Sequence, residues 1–240
     1  MVQIQPLYES TQVYFRNYLS DDSAAFDICV TKEDLIFEQH MLDIEAQEEG
    51  LKRRKFTEPF LERAAIQRKI AEALLDQNVL LLHGSTVAVD GEAYLFTAAC
   101  GTGKSTHTRL WREVFGTRAV MINDDKPFLK ISAQGVTAYG SPWSGKHGLD
   151  TNISAPLKGI CILQRGTANE IRQITADDAV AMLINSYTTG LSPSVMEYIL
   201  GSTVVPKHGG SVSGSELGLP ASLSGMPLPC GATAIWRKQD

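Results

Sequence analysis

Apolar and polar positions alternate along most of the chain in short runs, and one stretch carries a helical period. From Thr57-Glu58-Pro59, which supplies a capping hydroxyl, an early acid and an early proline, apolar residues recur at Leu61, Ala65, Ile66, Ile70, Leu74 and Leu75. That spacing predicts a helix ending near residues 76–78. Val79–His83 is an apolar run too short for a helix and reads as a strand. Residues 85–89 and 92–97 read as two strands joined by Asp90-Gly91, a pair that tolerates the positive φ of a tight hairpin turn. Residues 98–103 form a glycine-rich loop, and a helix runs from Lys104 to about Val114. Three more strands are expected at 119–122, 127–131 and 136–139, then a long loop over 140–156 rich in Gly, Ser and Pro. Strands follow at 157–163 and 170–174, and Thr175 caps a helix reaching about Tyr187.

The two ends differ from this middle. Residues 13–19 and 24–30 look β-like, with a charged excursion at 43–55 read as a solvated loop or helix end. Over 209–235, Gly, Ser and Pro supply 14 of 27 positions without any period, which predicts irregular chain. The expected organisation is a small β-rich N-terminal region (1–57), a core (58–200) and an irregular or disordered tail (201–240).

Composition narrows the partners. Apolar residues make up 43% of the 240 positions and charged residues 20%, enough apolar surface to bury a core. The net charge of −5 lacks the basic footprint that broad nucleic-acid or anionic-membrane binding requires. No run of 18 apolar residues and no leader pattern is visible, so a cytoplasmic protein is expected. Cys29, Cys100, Cys161 and Cys230 are scattered without Cys-x-x-Cys spacing, which predicts reduced thiols and argues against a zinc site.

The chemistry concentrates at Ala98-Ala-Cys-Gly-Thr-Gly-Lys-Ser-Thr106, placed between a strand and a helix. The pattern G-x-x-x-x-G-K-[ST] is met at Gly103, Lys104 and Ser105, with Ala98 where the first glycine stands. Glycines let the backbone fold round phosphates with its N–H groups inward. The helix start adds the positive end of its dipole. Lys104 would neutralise the β- and γ-phosphates and Ser105 would offer a hydroxyl to Mg²⁺. Residues Cys100, Gly101, Thr102, Gly103, Lys104, Ser105 and Thr106 are therefore the candidate site for ATP or another nucleoside triphosphate. Alanine at 98 would strain the loop's entry if that position needs positive φ.

Asn123-Asp124-Asp125 follows a strand and reads either as a polar turn or as carboxylates serving the loop. One would hold Mg²⁺ and the other would orient or deprotonate an acceptor hydroxyl. His83 reads as a structural hydrogen-bonder or a catalytic group. Lys146, His147 and Arg165 are candidates for stabilising transition-state charge or binding substrate, against a plain solvated role. Trp143 reads as a loop anchor, and His107 as an ordinary helix residue.

A hairpin feeding the loop, and three strands without intervening helices, favour an α/β fold with a mixed, largely antiparallel sheet over the usual parallel one. Together His83-Gly84, Cys100-Gly-Thr-Gly-Lys-Ser-Thr106, Asn123-Asp-Asp125 and Gly140-Ser-Pro-Trp-Ser-Gly-Lys-His-Gly148 resemble the HPr kinase/phosphorylase and phosphoenolpyruvate carboxykinase superfamily. The last segment resembles small kinase-like members encoded with modified-peptide gene clusters. The resemblance covers about residues 79–190. It implies a P-loop kinase fold with flanking helices, Asp124 as base and Asp125 as metal partner, and an ATP- and Mg²⁺-dependent phosphotransferase acting on a hydroxyl of a peptide, protein or small molecule. It also admits a homo-oligomer. The chain is too short for a full carboxykinase. Two alternatives stand beside it: a non-catalytic nucleotide-binding accessory or sensor, and a simple NTPase.

Overall fold

The computed structural model describes residues 1–48, 50–99, 101–165, 170–174 and 232–238. The chain divides into two units, Met1–Leu80 and Leu81–Asp240. The helix at 58 thus groups with the N-terminal residues, and the division falls later than the expected boundary at 57.

The first unit is mainly helical, which corrects the β-rich expectation. It holds β1 (Val2–Ile4), α1 (Glu9–Phe15), a 3₁₀ turn at Arg16–Tyr18, β2 (Phe26–Ile28), α2 (Lys32–Glu48) and α3 (Glu58–Leu75). The strands β1 and β2 pair in parallel over only three residues each. Residues 13–15, β-like in composition, close α1 because Thr11 and Phe15, four apart, bury one helical face. Helix α2 ends within the charged stretch at 43–55, read as a solvated loop or helix end, and takes up its residues 43–48. Ile36, Phe37 and Met41 on it face solvent, so no clean apolar stripe marks it in the sequence. Thr31 N–H donates to Asp34 Oδ2 at 2.9 Å, one half of a capping box at its start. Arg68 of α3 then clamps it, reaching Glu38 at 2.7 Å and Asp34 at 3.2 Å. Helix α3 matches its expected start, with Pro59 in the first turn. Strand β3 (Val79–Leu81) lies at the division.

The second unit is a mixed, mostly antiparallel sheet with a helix on it. Its strands are β4 (Ser85–Val89), β5 (Glu92–Thr97), β6 (Ala119–Asn123), β7 (Phe128–Ser132), β8 (Gly135–Tyr139), β9 (Ser154–Arg165), β10 (Glu170–Gln173) and β11 (Ala232–Lys238). The order is β7-β8-β9-β5-β4-β6, with β11 on β9 and β10 on β11. The β4–β5 hairpin turns through Asp90 and Gly91, both at positive φ (52° and 84°), as the sequence predicts. Strand β9 is longer than expected because it serves three partners, β8, β5 and β11. Residues 154–156 pair antiparallel with β8, and residues 157–162 pair parallel with β5. Residues 232–238, expected within the irregular tail, instead form β11 against β9. Their partner strand supplies the backbone pairing that local composition did not reveal. The helix expected at 175–187 lies outside the described residues.

Helix α4 (Lys104–Phe115) packs Trp111 and Phe115 onto a cluster of Val87, Val89, Tyr94, Phe96, Ala98, Met121, Cys161 and Leu163. Trp111 meets Tyr94 and Phe96 at ring distances of 5.0 Å each. Fully burying each large aromatic contributes about 1.5–3 kcal/mol, so the second half of the helix is fastened to the sheet. Among the described residues, no helix is long and apolar enough to cross a membrane.

Candidate functional site

The loop from β5 to α4 turns on two glycines with positive φ, Gly101 at +72° and Gly103 at +116°. Gly103 is the N-cap of α4, so Lys104 opens the helix. The first-turn N–H groups of a helix lack intrahelical acceptors and attract anions. Ser85 Oγ and Thr108 Oγ1 lie 2.8 Å apart, which ties β4 to the first turns of this helix. Lys104 Nζ donates to Ala98 O at 3.0 Å. Ala98 itself is buried in the core cluster and is absent from the positive-φ residues, so alanine sits there without the strain its replacement of glycine suggested. Thr102 and Ser105 are half-buried and Thr106 is exposed. Cys100 lies outside the described residues.

Arg165, at the end of β9, reaches this loop. Its Nη2 donates to Gly101 O at 3.0 Å. The parallel pairing of β5 and β9 brings their C-terminal ends to the same end of the sheet.

His83 and Asp125 meet on the adjoining side, with Nε2 3.2 Å from Oδ1. Two further bonds fix this contact. Gly84 N–H donates to Asp125 O at 2.9 Å, and Thr97 Oγ1 donates to His83 O at 2.9 Å. Gly84 is needed here because a Cβ would come within 2.7 Å of Leu95 Cδ1 and 3.0 Å of Phe96 O. The bond to Asp125 pushes the His83 pKa up, but burial and the nearby Lys126 and Lys104 charges outweigh it, so the value lies below the ordinary one. Burial pushes Asp125 up, yet the His83 bond together with the Lys126 and Lys104 charges holds it below the usual carboxylate value. The field of Lys104 therefore acts on both members of the pair.

Asp124 is in a different setting. It is 4% exposed, and burial raises its pKa, with Asp125 adding to the rise. The N–H of Gly145 donates to Oδ1 at 2.6 Å and, with His147's charge, opposes the shift. Oδ2 is buried without a hydrogen-bond partner among the described residues. The two neighbouring carboxyls are thus shifted in opposite directions, Asp124 toward the stronger base and Asp125 toward the weaker.

Asn123-Asp-Asp125 is both turn and site. Asn123 Oδ1 accepts from Asp125 N–H at 2.8 Å and Lys126 N–H at 2.6 Å, an Asx turn, and the two carboxylates it carries take different partners, Gly145 and His83. The long loop docks on this turn. Trp143 anchors it as expected, buried against Phe128 at a ring distance of 6.3 Å. Lys146 and His147 are exposed. His107 is an ordinary core residue of α4. Its ring lies 4.5 Å from that of Phe96 at a tilt of 47°, and burial drives its pKa down to about 4.

The structure thus brings His83, Lys104, Asp125 and the glycine loop into one electrostatic neighbourhood, with Asp124 beside them and Arg165 on the loop. Reading by sequence missed the parts played by Gly140, Ser141 and Gly145. Their signal was only a glycine-rich loop, since their partners, Ile153 O for Gly140, the Asn123 amide and Lys126 O for Ser141 and the Asp124 carboxylate for Gly145, lie far away in the chain. Among the described residues, no three His, Cys, Asp or Glu side chains converge to cage a metal.

The family model for the SynChlorMet cassette protein ScmC matches residues 58–198, which includes every residue of this site, and the chain belongs to that family. No curated protein matches the chain.

Proposed function

We propose that this chain is an ATP- and Mg²⁺-dependent phosphotransferase that acts on a hydroxyl of a peptide, protein or small molecule, with a fold of the HPr kinase/phosphorylase and phosphoenolpyruvate carboxykinase type. The observation that carries this reading is the placement of Lys104. It stands at the start of a helix packed on the sheet, behind two positive-φ glycines, and its charge acts on the His83–Asp125 pair. An anion cradle and an acid–base group thereby share one end of the sheet.

The residues suit the implied groups. Mg²⁺ commonly takes one or two carboxylates and completes its shell with phosphate oxygens and water, so a protein cage of three ligands is not required. Asp125, held ionised, and the Ser105 hydroxyl would be its ligands, and the ion would neutralise phosphate charge. Asp124, with a raised pKa and an unengaged Oδ2, suits a base that takes the acceptor's proton. Arg165 and Lys104 are placed to donate to phosphate oxygens once released from the loop carbonyls they hold. The ordinary backbone at Ala98 removes the motive for regarding the loop as a disabled one.

The test is calorimetric binding of Mg·ATP to the wild-type chain and Lys104→Ala, with product analysis over serine peptides and small hydroxyl compounds. The expected loss of affinity in the variant is on the order of 100-fold. Equal affinity would overturn the reading. Phosphate released to water alone, whatever the acceptor, would make the chain a simple NTPase.

A further inference from the structure

We propose that Asn123 is a positioning residue that holds the loop at 140–145 against Asp124, so that the loop backbone, and not β6 alone, orients this carboxylate. The inference rests on the phosphotransferase reading only for its turnover measurement.

Asn123 is the last residue of β6 and has no exposed surface. Its single planar amide bridges two stretches of backbone. Nδ2 donates to Ser141 O at 2.8 Å, faces Ser141 Oγ at 3.1 Å and reaches Trp143 O at 3.4 Å. On the other side Oδ1 accepts the N–H groups of Asp125 and Lys126. Two bonds flank this clasp. Ser141 Oγ donates to Lys126 O at 2.6 Å, and Gly145 N–H donates to Asp124 Oδ1 at 2.6 Å. The loop is therefore fastened at 141–143 by Asn123, and the next residues deliver the N–H that holds Asp124. A Cβ at Gly145 would lie 3.3 Å from Asp124 Oδ2, so carboxylate and loop backbone are already in close approach.

The amide chemistry is specific. Aspartate at 123 could still accept from Asp125 and Lys126, but it has no donor for the two loop carbonyls and would oppose them with charge. Serine has only one oxygen and is too short to bridge both stretches. Asn123→Asp thus separates the two halves of the clasp. The turn is kept and the loop is released.

The full-length chain carries the test. In Asn123→Asp, amide hydrogen exchange at Gly145 should accelerate about tenfold or more, while β4 and β5 amides exchange at the wild-type rate. Affinity for Mg·ATP should stay within about twofold, because the glycine loop hangs on β5 and α4. Turnover should fall about tenfold in kcat with the KM for nucleotide unchanged. If Asn123→Asp does not fold, Ser141→Ala, which removes one tie of the same loop, should show the same pattern at about threefold. Unchanged exchange at Gly145 would overturn the proposal, as would nucleotide affinity falling in step with turnover. If the wild-type chain does not bind Mg·ATP, the phosphotransferase reading falls and exchange at Gly145 alone decides the role of Asn123.

Discussion

His83 Nε2 lies 3.2 Å from Asp125 Oδ1, and the Lys104 charge opposes protonation of one partner while favouring ionisation of the other. Both groups have pKa values below their ordinary ones, so this contact is a neutral imidazole on a carboxylate at pH 7. For both, the unfolded chain takes up protons more readily than the folded one. The His83 contribution to stability is present above about pH 6.5 and falls as the pH drops below it, whereas the Asp125 contribution is present above its ordinary 3.8 and is lost only in the acid range below that. Imidazole NMR titration should show His83 moving up in Lys104→Ala, which removes a repelling charge. It should move down in Asp125→Asn, which removes the bond that favours the imidazolium. Equal pKa values in wild type and Lys104→Ala would mean that lysine and histidine do not share a field.

Gly103 and Gly140 are glycines for opposite reasons. A Cβ on Gly103 meets nothing within 4 Å, but its φ of +116° is one that L-residues rarely adopt. Gly103→Ala should cost about 1–3 kcal/mol through backbone strain, and it should weaken nucleotide binding because the loop relaxes away from its anion-cradling shape. Chemical denaturation and calorimetry on the same sample check both effects.

At Gly140 the obstacle is space. A Cβ would stand 1.9 Å from Thr151 O and 3.0 Å from Ile122 O, both backbone atoms that cannot swing aside. Gly140→Ala should destabilise the chain by about 3 kcal/mol and release the loop that carries Gly145. Loss of exchange protection at Thr151, whose N–H donates to Ile122 O at 3.1 Å, would report that release.

In the first unit Arg68 meets Glu38, Asp34 and Glu72. Glu38 is buried, so Arg68→Ala leaves an uncompensated acid and should cost about 2–4 kcal/mol. Burial pushes Asp34 up, but Lys69, the Thr31 N–H and Arg68 together hold it below its ordinary 3.8. A depressed carboxylate stabilises the fold above its unfolded pKa, and that contribution disappears as the pH falls through the acid range. Asp34→Asn should therefore flatten the acid limb of a urea-midpoint profile.

Sequence periodicity alone determined helix α3, the β4–β5 hairpin and the strand-loop-helix around Lys104, because each is set by local backbone preferences and near-neighbour burial. The candidates Asp124, Asp125 and His83 came from short motifs and the family resemblance, and not from periodicity. It failed at α1 and α2, where aromatic composition and a solvent-facing apolar set hid the helical period, and at β11, whose pairing partner is about seventy residues earlier. Only the tertiary structure decided that Arg165 reaches Gly101, that His83 pairs with Asp125 rather than Asp124, and that Asn123 fastens a loop some twenty residues away. Those relations depend on strand order and on backbone acceptors. Neither has a residue-type signature along the chain.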